Sequence, residues 1–196
     1  YEIGWCEWSS DVCSSDLISP VLLISLDMSK TGDMTSLVLV FPDQEEENLY
    51  RQLAWFWLPE QTIQARRHLI DYKAWIDGGW LREVPGPVID YAMLRRDVLE
   101  ILQRFAVRRF AYDATFAGEF AQFIQEECED IECLEFPQTI VKFAGPTAEY
   151  ERLILAGRLR HNGNGLLTWQ AGHCLVKSDP NRNKRPVKPK HGDIRS

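Results

Sequence analysis

No apolar run in the 196-residue sequence approaches the ~18 residues that a bilayer-spanning helix needs. The first residues also lack the basic segment and long apolar stretch of a secretory leader. These two absences lead us to expect a soluble, intracellular chain. There is no G-x-x-x-x-G-K-[ST] phosphate loop and no G-x-S-x-G elbow, so this chain alone is not expected to hydrolyse ATP. The five cysteines (Cys6, Cys13, Cys128, Cys133 and Cys174) have no histidine at zinc-ligand spacing. They read as isolated thiols of a reduced compartment rather than as a zinc site. Internal repeats and low-complexity segments are absent as well.

What remains is an ordinary globular composition, 45% hydrophobic and 26% charged. Seven Trp and nine Phe argue against disorder and give bulk for a core. The length suits one domain, or one domain with extensions. The net charge of -7 is unevenly spread. From Lys177 onward seven basic residues face two acidic ones, a net +5, which leaves -12 on the rest. A basic tail on an acidic body is commonly a solvated extension, and it can also be the footprint of a polyanion.

The opening "YEIGWCEWSSDVCSSDL" has neither strand alternation nor helical periodicity. It resembles translated sequencing-adapter read-through, so residues 1–17 are expected to be a non-native or disordered tail. On that reading residues 18–196 form a single domain cut short at both ends, with a basic loop over about 177–196.

Residues 21–27 and 35–42 read as apolar strands joined by a hairpin, and "NLYRQLAWFWLPE" as a third strand closed by Pro59. Short turns between sequential strands imply an antiparallel meander. "TIQARRHLIDYKAWIDGG" reads as one helix ended by Gly78-Gly79, and "WLREVPGPVIDY" as extended and turn-rich. "AMLRRDVLEILQRF" is amphipathic, with Met93, Val98, Ile101, Leu102 and Phe105 on one face. A strand ("AVRRFAYDA"), a helix ("GEFAQFIQEECED"), a strand ("IECLEF") and a helix ("TAEYERLILAGR") follow. That order implies parallel pairing. "HCLVKS" is a last short strand, and "DPNRNKRPVKPKHGD" reads as a loop. The expected fold is therefore α/β, a mixed sheet of meander and βαβ units flanked by helices.

Asp27 and Asp113 share a context, since each is the first polar residue after an apolar strand. Singly, each is the residue of an ordinary turn or helix cap. Side by side at one sheet edge, two carboxylates repel unless a cation lies between them. Hard oxygen ligands suit Mg2+ or Mn2+, and two such ions about 3.5–4 Å apart activate water against a phosphodiester. Asp33 suits the turn "KTGD", and Asp90 in "VIDY" is a further candidate with a loop role favoured. His161 sits in an Asn/Gly turn, His173 reads as a packed or half-exposed imidazole, and Glu149, Glu151 and Arg152 as solvated helix charges.

"LDMSKTGDMTSLVLVF", "WFWLPE", "YKAWIDGGWLREVPGPVIDY", "FAYDA" and "EYERLILAGRLRHNGNGLLTWQAGH" stand together in an order and spacing that resemble large terminase subunits of tailed bacteriophages. The resemblance covers roughly residues 21–193. It implies a nuclease of the ribonuclease H-like fold, which cuts concatemeric viral double-stranded DNA with two divalent metals, Mg2+ or Mn2+, held by acidic residues. It further implies a separate ATPase half, a portal and a small terminase subunit as partners, no membrane, and the host cell cytoplasm. Asp27 matches the first metal-binding acid and Asp113 the second. The third lies in an "IDG"-like motif after a basic loop. Gly192-Asp193-Ile194 lacks that order, so the third acid is expected beyond Ser196 and the fragment is expected to lack a complete, active metal site. Lys177, Arg185 and Lys188 are candidate DNA-phosphate contacts. Other readings are a Holliday-junction resolvase or transposase on the same fold, or a non-catalytic module that docks DNA or the portal.

Overall fold

The computed structural model describes residues 23–28 and 33–187, with the side chains of residues 114–116 set aside. The meander is there: β1 (Leu23–Asp27), β2 (Thr35–Pro42) and β3 (Tyr50–Pro59) pair antiparallel. Alternation explains the first two. Ile24 and Leu26 of β1 are buried, and so are Thr35, Leu37 and Leu39 of β2. β3 is buried on both faces, with Leu53 and Trp57 in one cluster and Ala54, Phe56 and Leu58 in the other.

Two short helices follow, α1 (Glu60–Arg66) and α2 (Tyr72–Asp77), where the sequence suggested one. Ile70 and Tyr72 are both buried while Arg67, His68 and Leu69 are exposed or half-exposed. No single helix face holds two residues spaced by two, so the chain breaks there. Then come β4 (Leu81–Val84), α3 (Tyr91–Arg104), β5 (Arg109–Tyr112), α4 (Ala114–Glu127) and β6 (Glu132–Glu135). α3 starts where the Asp90 carboxylate accepts from the N–H groups of Ala92 (2.9 Å) and Met93 (3.3 Å). It buries Leu94, Val98, Ile101 and Leu102, each stabilising by about 1.5–3 kcal/mol.

α5 (Ile140–Leu155) begins seven residues before Thr147, with Thr139 as its cap and Pro146 inside it. A Gly-Pro pair reads as a breaker in sequence. The exposed turns of this helix, none of whose residues is buried, accommodate it. β7 (Leu159–His161) takes in His161, expected in an Asn/Gly turn, and α6 (Gly165–Gly172) follows it. β8 (Leu175–Ser178) pairs antiparallel with β9 (Lys184–Val187), so part of the expected basic loop is a hairpin. Asp179, at its turn, accepts from the Asn183 backbone and amide and so holds 179–183 closed.

The sheet order is β4-β3-β2-β1-β5-β6. β1 pairs parallel with β5, and β5 with β6, as the strand–helix–strand order implied. β4 and β7 both run parallel to β3, β4 along Phe56–Pro59 and β7 along Tyr50–Gln52. α3 and α4 cover one face over the larger core cluster, and α1, α2 and α6 pack on the other.

Candidate active site

Parallel neighbours end at the same edge of a sheet. Leu26 of β1 is in register with Tyr112 of β5, so Asp27 and Asp113 occupy the next matching step on the two strands. Asp27 is also paired across to Ser36 of β2, and the Asp113 carbonyl accepts from Ala117 N–H as α4 begins. Both aspartates line one cleft of about 960 Å³. Its floor is the carboxyl end of the strands, and α6, the start of α5 and the β8–β9 hairpin wall it.

Asp33, read from sequence as a plain turn residue, lines the same cleft. Among the described residues, however, no three His, Cys, Asp or Glu side chains converge as a metal-holding group. The acids present still suit a hard divalent cation in kind. Mg2+ is commonly held by one or two carboxylates, with water and substrate phosphate completing its shell.

Cationic groups share the cleft with these acids. Arg66, at the end of α1, and Arg185, on β9, line the cleft. Arg185 is fixed by donating Nη1 to the Gln138 carbonyl at 2.7 Å. Lys177 lies directly opposite Arg185 in the hairpin, exposed and on the same face. Lys188 lies outside the described residues. Beside Arg66, burial pushes the Tyr72 phenol above its ordinary value, and a hydrogen bond from Arg66 pulls it partly back. Arg66 and Tyr72 were not anticipated, because "QARRHLIDY" offers no pattern separating a cleft arginine from a solvated one.

The remaining sequence candidates fall elsewhere or change role. Asp90 caps α3, and His161 ends β7 opposite Gln52. Glu149 and Arg152 form a two-pronged exposed pair at 2.8 and 2.7 Å, while Glu151 meets Lys184 of β9 at 3.2 Å. Hydrogen bonding to Arg152 holds the Glu149 carboxyl below its usual range. His173 does belong to the cleft, stacked on Trp169. Cys128, Cys133 and Cys174 are free thiols, and burial raises the first two above the usual thiol range.

The site is thus a mixed sheet with acids at adjoining strand ends, beside basic groups. Residues 13–194 match the family described as the terminase large subunit, endonuclease domain, and the chain belongs to that family. It is 29% identical over 168 residues to the large terminase subunit of Enterobacteria phage HK97, covering 84% of this chain and 33% of that protein. It is 23% identical over 175 residues to protein YmfN of Escherichia coli K12, covering 85% of this chain and 38% of that one. The crystal structure of the HK97 bacteriophage large terminase superposes with a TM-score of 0.76 at 25% identity, over 92% of this chain and 40% of that chain. The fold is accordingly ribonuclease H-like, and the chain spans about a third of the length of the curated relatives it matches.

Proposed function

We propose that this chain is a divalent-metal-dependent endonuclease that cuts concatemeric double-stranded DNA during phage genome packaging. The observation that carries the reading is that Asp27 ends β1 and Asp113 directly follows β5, parallel neighbours in register at Leu26 and Tyr112, and that both open on one cleft. Asp27 and Asp113 would hold Mg2+ or Mn2+. When bound, such ions supply an activated water and offset charge on the phosphodiester. The chain's own groups do the rest. Arg66 and Arg185 attract the DNA backbone toward the acids, and Lys177 extends the basic surface along the hairpin. The portal and small terminase subunit are the partners we propose for the whole protein, acting in the host cytoplasm. No helix among the described residues is long and apolar enough to cross a membrane.

Two measurements test this. In the full-length subunit, supercoiled plasmid should be nicked in Mn2+ or Mg2+ and spared in EDTA, with Asp27→Asn and Asp113→Asn abolishing cleavage. Mn2+ titration by calorimetry should show binding that either substitution removes. Cleavage unchanged by both substitutions would sink the assignment.

A further inference from the structure

We propose that His173 is a positioning residue, holding a DNA backbone phosphate in the cleft through Nε2; the inference rests on the nuclease reading above. His173 follows α6 directly, and its ring folds back on the last helical turn. Nδ1 lies 2.7 Å from the Trp169 carbonyl. A carbonyl only accepts, so Nδ1 carries the proton. The ring also lies against the Trp169 indole, with centroids 4.4 Å apart. These contacts fix where the second nitrogen sits, and Nε2 has no hydrogen-bond partner among the described residues.

The support behind the ring is firm as well. Trp169 packs on Trp75 at 5.2 Å, and Gln170 donates to Met34 Sδ at 3.3 Å, tying α6 to the residue beside Asp33. A side chain held this way needs little ordering when a ligand arrives. The charged groups sharing the cleft are Asp27, Asp33, Asp113, Arg66 and Arg185. His173 is no member of a metal-holding cluster, since no such cluster exists among the described residues. Nε2, an acceptor in the neutral ring, becomes a donor once the ring takes a proton from solvent; a phosphodiester brought between the acids and the arginines would be met by that imidazolium, with Nδ1 donating to Trp169 and Nε2 to a phosphate oxygen.

The test compares wild type, His173→Phe and His173→Gln for anisotropy of a short labelled duplex and for steady-state cleavage. Phenylalanine keeps the stack on Trp169 and removes Nε2, so duplex affinity should fall about tenfold, as KM rises and kcat holds. Glutamine, whose amide nitrogen reaches the position of Nε2, should recover most of that loss. Melting temperatures of both variants should stay near wild type. Duplex binding that His173→Phe leaves untouched, or a glutamine variant no better than phenylalanine, overturns the contact and leaves the nuclease reading standing. A wild-type protein that binds no duplex overturns both.

Discussion

Trp57 of β3 donates its indole N–H to the Asp97 carboxylate of α3 across 2.9 Å. The same oxygen receives Arg82 of β4 at 2.8 Å, and Asp97 is 3% exposed. One carboxylate thus ties two strands to the helix that covers them. Asp97→Ala should cost about 2 kcal/mol in urea unfolding, because the buried indole N–H loses its acceptor. Trp57→Phe, which removes the donor with most of the ring retained, should cost less than Asp97→Ala. Equal stability of Asp97→Ala and wild type would contradict this role.

Asn164 does two jobs with one amide. Its Oδ1 accepts from Leu167 N–H at 3.0 Å to cap α6, and its Nδ2 donates to the Ala54 carbonyl of β3 at 3.1 Å. Asn164→Asp keeps the cap and loses the donor, while Asn164→Ala loses both. Alanine should therefore be more destabilising than wild type by about 2 kcal/mol, the sum of a cap and a buried hydrogen bond. The aspartate's fate is worse than its cap suggests, since its carboxylate is turned toward a carbonyl. Chemical denaturation of the three proteins checks the ranking of wild type above both.

Acid should weaken the turn between β2 and β3. Burial disfavours the ionised Asp43, but the Arg51 guanidinium and the N–H groups of Glu45 and Glu46 outweigh it, so its folded value lies below the ordinary one. The stabilisation is thus fully present above the unfolded aspartate value of about 3.9 and is lost as pH falls through the lower folded value. Urea midpoints of wild type and Asp43→Asn should differ most at neutral pH and converge toward pH 3.

Arg185 and Lys177 should report on DNA through salt. Arg185→Ala should weaken duplex binding about equally across sequences and reduce the slope of log affinity against log salt by about 1. Lys177→Ala should act in the same direction. Binding isotherms from 50 to 200 mM salt decide it, and an unchanged slope for both variants would remove the hairpin from the interface.

Sequence made the meander and the parallel units readable because each strand there is an apolar run bounded by turn residues. Asp27 and Asp113 were readable for the same reason: they end such runs, and strand order sets them side by side. Arg66 and Tyr72 were not, since their place depends on the break at residues 67–71, where burial of Ile70 and Tyr72 overrides helical continuity. β9 was hidden by Pro186, which local rules count against a strand, yet it sits in a two-stranded ribbon opposite Val176 where few ladder bonds are needed. β7, three residues long, is too short to show any period.

The long strand β3 shares its outer side between β7 and β4, and the Asn164 amide meets the Ala54 carbonyl in the interval between them. At the other end of the sheet, β6 is four residues long and carries Glu132 and Glu135. A sheet margin that is long, flat and uninterrupted invites another molecule to add a strand, and neither margin here offers one. Loss of the Asn164 amide would leave the Ala54 carbonyl, in the gap between β7 and β4, without that donor.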